Sequence, residues 1–190
     1  RPFPPFLPKK ATVMMMGTFP PEQSKRAMEF HYPNFQNDMW RVFGLVFFDE
    51  KDHFRNGEEK AMDSEKIKAF LSETGIASCP TVLKAIREKE NASDAFLKVV
   101  EPVPLADVLE QIPDCKHIGT TGGKATEILL SLLPEKVKLP KTGETIPFVF
   151  NGRELTLTRL PSTSRAYPLS LAKKAEAYKN FFKACGLKTK

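Results

Sequence analysis

The sequence predicts an α/β protein: a three-layer α/β/α sandwich with a central, mainly parallel, four-stranded sheet. Two observations predict it. Short apolar segments typical of buried strands alternate with segments of helical periodicity along most of the 190 residues. The hydrophobic content of 41% is ordinary for a globular chain of this length, which can bury its own core. We therefore expect a single domain over residues 1–190.

The N-terminal third begins with an arm. Residues 1–10 hold four prolines, which favour extended backbone over a helix. The apolar run at residues 11–16 ends at a glycine and predicts a fully buried strand. A short helix is permitted within residues 20–30, because proline is tolerated in a first turn. Asn37 can cap a helix that runs to Val46.

The middle of the chain has less regular signals. Residues 49–59 are charged and predict a loop, and Ser64–Thr74 has helical spacing that stops at a glycine. A short second strand is expected at residues 75–79, followed by a helix over residues 80–89. Residues 91–103 are ambiguous between helix and strand.

The last third contains a hairpin signal. Asn151 and Gly152 tolerate the positive φ angles of a type I′ turn, so the apolar segments on either side should pair. The expected elements are helix Leu105–Gln111, strand 116–120, helix 124–133, strands 148–150 and 154–160, and helix 169–185.

Composition narrows the function classes. The net charge of +6 and the pI near 9.2 suit a polyanionic partner without establishing one. The three cysteines are far apart and only three histidines are present, so we expect no disulfide framework, no metal site and no cofactor. No apolar run approaches the roughly 20 residues of a membrane span. A monomer in the cytoplasm is the expectation.

The predicted sheet also indicates where a ligand would bind. In open α/β sheets, ligands bind beyond the carboxyl ends of the strands. Three loops qualify by this rule: those after Met16, Thr120 and Leu160.

Five short motifs carry a resemblance to a known family. They are GTFP at residues 17–20, FHYPNFQNDMW at 30–40, GIA at 75–77, GGKA at 122–125 and LPSTSRA at 160–166. In this order and spacing they resemble the uracil-DNA glycosylase superfamily. The spacing and the N-x-x-W pattern are similar to its mismatch-specific branch. GTFP and LPSTS are closer to its hypoxanthine-DNA glycosylase branch. The resemblance spans nearly the whole chain.

The resemblance implies a monofunctional DNA glycosylase, which uses water to hydrolyse the N-glycosidic bond of a base flipped out of DNA. The implied partner is DNA containing a deaminated or mismatched base. Hypoxanthine is the favoured base and uracil the second, with related lesions in mismatches left open.

The resemblance also implies which residues carry the chemistry. Asn37 would be catalytic, because an amide both donates and accepts and can hold a water beneath the sugar. Its alternative role as a helix cap is compatible with catalysis. Asp38 is a rival base, although a charged residue in a first helical turn is the plainer interpretation.

The base and the DNA backbone would be held by other residues. The expected base-binding residues are Gly17, Thr18, Phe19, Phe30 and Thr121. Phe30 matches the position of a stacking aromatic, and its alternative is to pack in the core. The expected DNA-binding residues are Pro161, Ser162, Thr163, Ser164 and Arg165, in a loop that could contact phosphates. Lys173 and Lys174 are expected to be solvated or to face DNA.

Departures from the family pattern leave other functions open. Phe19, Leu160 and Thr121 occupy positions where relatives carry a catalytic or base-reading polar side chain. A non-catalytic DNA-binding module on the same fold is therefore an alternative. A glycosidase that acts on free nucleosides is a third, which the serine-rich loop disfavours.

Overall fold

The computed structural model describes residues 3–21, 23–87 and 97–190. The described residues form seven strands and five α-helices. The strands are β1 (Val13–Gly17), β2 (Ile76–Pro80), β3 (Val82–Arg87), β4 (Leu97–Pro102), β5 (His117–Thr121), β6 (Thr145–Phe150) and β7 (Arg153–Leu160). The helices are α1 (Met39–Phe48), α2 (Ser64–Thr74), α3 (Leu105–Gln111), α4 (Gly123–Ser131) and α5 (Leu171–Ala184).

The main sheet has five strands in the order β2-β1-β5-β7-β6. The first four are mutually parallel, and β6 pairs antiparallel with β7 at one edge. The mainly parallel sheet is thus confirmed, but it has five strands rather than four, because the hairpin adds an antiparallel edge strand. Asn151 and Gly152 at the hairpin turn have φ angles of 47° and 79°, as the sequence predicts.

Helices cover both faces of the sheet, which confirms the three layers. Val13 and Met15 of β1 point into one apolar core, shared with α1, α2 and α5. Met14 and Met16 point into the opposite core, shared with α3 and α4. Successive residues of a strand face opposite sides, so a strand buried on both faces is apolar throughout.

The helix predicted over residues 80–89 is wrong. In place of a helix over residues 80–89, β3 pairs antiparallel with β4, and residues 88–96 lie outside the described part of the chain. Strand pairing overrides the helical propensity of Leu83, Lys84 and Ala85 there. The described part of the ambiguous segment 91–103 contains β4. Within the described part of residues 20–30, where the sequence permits a short helix, the structure has a 3₁₀ helix, Gln23–Lys25.

The N-terminal arm lies along the edge of β2. The backbone of Phe6 exchanges two hydrogen bonds with that of Ser78, with N···O distances of 2.8 and 2.9 Å. This pairing brings the arm toward the carboxyl end of the parallel strands. Within the described residues, every helix is too short or too polar to cross a membrane.

Candidate active site at the carboxyl ends of the parallel strands

A cavity of about 210 Å³ lies where the parallel strands end. Its walls come from residues 17–21 after β1, the segment 31–37 before α1, the ends of β2 and β5, and residues 162–165 after β7. Phe3 of the arm also lines it. Segments far apart in sequence therefore meet at one place, at the edge of the sheet where the strand-end rule puts a ligand.

The structure brings most of the predicted site residues to this cavity. Those that line it are Gly17, Thr18, Phe19, Asn37, Thr121, Ser162, Thr163, Ser164 and Arg165. Two predicted residues do not line it. Phe30 lies in the core, and Pro161 is buried with its carbonyl accepting a hydrogen bond of 2.7 Å from the hydroxyl of Tyr178.

Phe30 does not line the cavity, but Tyr32 of the same motif does. Phe30 is only 4% exposed, and its ring stacks on that of His31 with 4.6 Å between centroids. The rings of Phe6 and Trp40 also pack against it, with centroid distances of 5.5 and 6.1 Å. The core interpretation left open by the sequence therefore describes Phe30. Tyr32 was missed because the segment is a loop, so no periodicity shows which of its aromatic residues turns inward.

Tyr32 is held in an unusual backbone conformation. Its φ angle is 53°, in the left-handed region that a bulky residue rarely adopts. The indole Nε1 of Trp40 donates a 3.0 Å hydrogen bond to the carbonyl of the preceding residue, His31. The ring of Tyr32 packs edge-on against Trp40, and its hydroxyl lies 3.2 Å from Oγ1 of Thr121. The tryptophan of the N-x-x-W pattern thus supports the loop that carries Tyr32.

Gly17 is required by the position of Tyr32. A Cβ atom at Gly17 would lie 2.6 Å from the Tyr32 hydroxyl and 3.3 Å from Oγ1 of Thr121. Neither distance leaves room for a methyl group without a shift. The glycine that ends β1 therefore allows the aromatic ring to approach the sheet.

The side chain of Asn37 is held by one hydrogen bond and can still form others. Its Oδ1 accepts a 2.9 Å hydrogen bond from the backbone N–H of Met39, and its own N–H donates to the carbonyl of Asn34. It thus supplies a capping-type bond at the start of α1, where the side chain of Asp38 supplies none. One Oδ1 lone pair and the Nδ2 hydrogens have no recorded partner among the described residues, so the amide can both donate and accept.

Asp38 is the centre of a buried charge cluster. It is 4% exposed; its Oδ1 accepts from Arg165 and its Oδ2 from Lys174, both at 3.2 Å. Lys174 is 1% exposed and also donates a 2.9 Å bond to the carbonyl of Ser164. The backbone N–H of Asp38 donates to the carbonyl of Thr163. The cluster ties α1 and α5 to the serine-rich loop.

This cluster changes two sequence interpretations. The expectation that Lys174 is solvated or faces DNA is wrong, because Lys174 is buried in its pairing with Asp38. No local sequence pattern could have predicted the pairing of Asp38 with Lys174, because the two residues are far apart in the chain. Both carboxylate oxygens of Asp38 are occupied by cations, which disfavours Asp38 as a free base and is in line with its plainer role at the helix start.

The loop after β7 is stiffened by its own hydroxyls. Oγ of Ser162 accepts from the backbone N–H of Ser164, and Oγ of Ser164 accepts from that of Ala166. Such short side-chain turns hold a loop without regular structure. The side chain of Arg165 is 54% exposed at the rim of the cavity. Leu160, at the end of β7, is 1% exposed and belongs to the core, as its strand-end position indicates.

Two titratable side chains of the cavity wall, His31 and Cys79, are electrically neutral at neutral pH. Burial lowers the pKa of His31 to about 4 and raises the pKa of Cys79 to about 12. Cys79 is thus a thiol, not a thiolate nucleophile, at neutral pH. Within the described residues, no cluster of three His, Cys, Asp or Glu side chains could hold a metal ion.

Comparisons with known proteins support the fold. No family model matches the chain, and no curated protein matches it. Among solved structures, the chain is similar to the solution NMR structure of a proposed uracil DNA glycosylase from Methanosarcina acetivorans, with a TM-score of 0.63. The two sequences are 21% identical, and the match covers 98% of each chain. The two chains share the uracil-DNA-glycosylase-like α/β fold. At 21% sequence identity, the similarity shows the fold alone.

Proposed function

We propose that this protein is a DNA glycosylase that removes a deaminated base, hypoxanthine or uracil, flipped out of DNA. The observation that carries the proposal is the meeting of Asn37, Tyr32 and the loop 162–165 around one cavity. These residues offer a polar group for water, an aromatic wall for a base and hydroxyls for phosphates. The shared fold and the motif resemblance support the same reaction.

The cavity suits a planar base. Tyr32 provides an aromatic surface, and base–aromatic stacking contributes about 1–3 kcal/mol with little dependence on the base. Thr18 and Phe19 follow the end of β1, where their backbone N–H groups would face negative charge developing on the departing base. Phe19 cannot activate water with its side chain, so its contribution would come from its backbone.

Asn37 would position the water. Its Oδ1 is fixed by the N–H of Met39, so the amide has little freedom to rotate. A second lone pair on Oδ1 can accept from a water while Nδ2 donates to the substrate. The sugar passes through an oxocarbenium-like state, so an oriented water suffices to complete the hydrolysis.

Water, not an enzyme amine, would break the bond. The lining of the cavity within the described residues contains no lysine. Lys174, behind the wall, is already committed to Asp38 and to the carbonyl of Ser164. This supports a monofunctional glycosylase over a lysine-based lyase.

The serine-rich loop would hold the DNA backbone. Ser162, Ser164 and Arg165 line the cavity rim, and the net charge of +6 favours a polyanion. A loop of this kind is useful on a polymer and adds little for a free nucleoside. It therefore supports DNA over nucleosides as the substrate.

The proposal is tested with defined lesions. Single- and double-stranded oligonucleotides carrying inosine, uracil or a G·T mismatch are incubated with the protein, and abasic sites are then cleaved with alkali. We expect strand cleavage at inosine or uracil. Asn37→Ala should abolish most of it while DNA binding persists, and Asn180→Ala, an exposed amide on α5, should not. Measurable DNA affinity without product from any lesion would favour the non-catalytic binding module.

A further inference from the structure

Ser78 and His31 form a buried hydrogen-bonded pair in the cavity wall that the proposed reaction does not use. Nδ1 of His31 lies 2.6 Å from Oγ of Ser78, and Nε2 of His31 lies 2.8 Å from the carbonyl oxygen of Pro4. Ser78 is 3% exposed and His31 8% exposed, and both line the cavity. Three segments, the arm, the loop before α1 and β2, therefore meet in one short chain of hydrogen bonds.

The direction of these hydrogen bonds is fixed by chemistry. A carbonyl oxygen can only accept, so Nε2 of His31 must carry the hydrogen that it donates to Pro4. The low pKa of His31, about 4, keeps the ring neutral at physiological pH, so Nδ1 carries no hydrogen. Nδ1 must then accept, and the hydroxyl of Ser78 must donate to it. The oxygen of Ser78 is left with lone pairs only.

We propose that Ser78 Oγ is a fixed hydrogen-bond acceptor that selects bases carrying a ring N–H, and that the arm maintains this polarity through Pro4 and His31. This inference rests on the proposed function, because it assigns a specificity-determining residue to the same cavity. A serine hydroxyl alone can rotate and serve as donor or acceptor. One whose hydrogen is engaged by a histidine cannot.

The consequence is a discrimination between deaminated bases and their parents. Hypoxanthine and uracil are lactams with a hydrogen on the ring nitrogen, which Ser78 would accept. Adenine and cytosine have a lone pair at the equivalent nitrogen, which would face the lone pairs of Ser78. Leaving two acceptors opposed in a buried site is costly. Guanine and thymine also carry a ring N–H, so other walls of the cavity must exclude them.

A nucleophilic serine is the competing interpretation of the pair. A histidine held by a carbonyl on one side and a serine on the other resembles the arrangement of an activated nucleophile. A base with a pKa near 4, however, removes a proton poorly at neutral pH. The acceptor role needs no proton transfer, so it is the role that the geometry favours.

Binding without cleavage tests the proposal. Oligonucleotides carry 2′-fluoroarabino inosine or 2′-fluoroarabino adenosine, in which the fluorine destabilises the positively charged sugar and blocks hydrolysis. We expect the native protein to bind the inosine strand more tightly. The Kd ratio is the Kd for the adenosine strand divided by the Kd for the inosine strand. Ser78→Ala should reduce this ratio by roughly tenfold, because one hydrogen bond in a buried site is lost. An unchanged ratio would overturn the proposal.

A matched control removes a neighbouring hydroxyl. Thr81 is fully buried just after β2, its Oγ1 has no partner among the described residues, and it does not line the cavity. Thr81→Val should leave the Kd ratio unchanged, and a comparable fall in this variant would contradict a specific role for Ser78. A truncation that removes residues 1–5 frees His31 from Pro4 and should lower the ratio as Ser78→Ala does.

The hydrogen positions can be observed in the native protein without any variant. Nitrogen NMR of the histidine side chains should show His31 at pH 7 with a hydrogen on Nε2 and none on Nδ1. The opposite tautomer would overturn the proposal even if a Ser78 variant failed to fold. A native protein that cleaves inosine but binds the inosine and adenosine strands equally tightly would reject this inference alone. Absence of cleavage with the Kd ratio intact would instead reject the proposed reaction.

Discussion

Trp40 donates a hydrogen bond from its indole nitrogen to the carbonyl of His31, and the next residue, Tyr32, turns its side chain into the cavity. The bond is 3.0 Å long and buried. It anchors the backbone just before a tyrosine whose φ angle of 53° is strained. The tryptophan of the N-x-x-W pattern therefore acts at a distance from the cavity, through the loop that it holds.

Trp40→Phe tests this support. The ring stays apolar but the carbonyl of His31 loses its buried donor, which should cost about 1–3 kcal/mol in the free energy of unfolding. Cleavage of the preferred lesion should also fall, because Tyr32 is less well held. Urea unfolding and single-turnover rates measure the two effects. Full activity in a folded Trp40→Phe protein would show that the bond does not position Tyr32.

Gly17→Ala should displace Tyr32. The new Cβ would lie 2.6 Å from the tyrosine hydroxyl, so the ring or the strand end must shift. A misplacement on this scale can lower the rate of a positioned reaction roughly 100-fold. Removing the hydroxyl as well, in Gly17→Ala/Tyr32→Phe, should restore part of the activity, and a double-mutant cycle on kcat/KM measures that recovery. Strict additivity of the two changes would contradict the steric argument.

Lys174→Met should destabilise the protein more than a surface change. It leaves the buried carboxylate of Asp38 with Arg165 and with Arg41, whose guanidinium lies 3.9 Å from Oδ1, and removing one partner of a buried ion pair costs up to about 3–5 kcal/mol. Lys173→Met is the matched control, because Lys173 is exposed and its loss should stay within about 0.5 kcal/mol. Thermal and urea unfolding compare the two variants. Equal stability would mean that the cluster around Asp38 does not hold the loop.

Acid should weaken the fold through His31. Its pKa in the folded state is about 4, below the ordinary value of 6.5, so the unfolded chain binds more protons between these values. The stabilisation from a neutral His31 is therefore fully present above pH 6.5 and falls as the pH drops toward 4, by up to about 3 kcal/mol. Comparing urea unfolding of the native protein and His31→Gln at pH 7 and pH 4.5 isolates this contribution. A pH dependence identical in both proteins would contradict it.

The sequence predicted the parts of the fold that have a signal in a short, contiguous segment. The bounds of α2 follow from helical spacing and a glycine stop, and the hairpin follows from Asn151 and Gly152. The β3–β4 pairing was missed because it depends on contacts between segments that local propensity cannot foresee.

The residues of the candidate site also divide into those with a local sequence signal and those without one. Asn37 and the serine-rich loop stand in contiguous motifs, so the sequence located them. Tyr32 and the pairing of Asp38 with Lys174 depend on how a loop folds and on which distant helix lies behind it. Ser78 and His31 are brought together by the arm and β2, a contact with no local signature.

The central claim is that Asn37 orients water in a cavity that receives a deaminated base. Single-turnover cleavage of a duplex containing inosine or uracil, measured for the native protein and for Asn37→Ala with their Kd values for the same DNA, tests it most directly. We expect cleavage by the native protein and a rate about 100-fold or more lower in Asn37→Ala, with Kd nearly unchanged. A rate in Asn37→Ala equal to that of the native protein would contradict it.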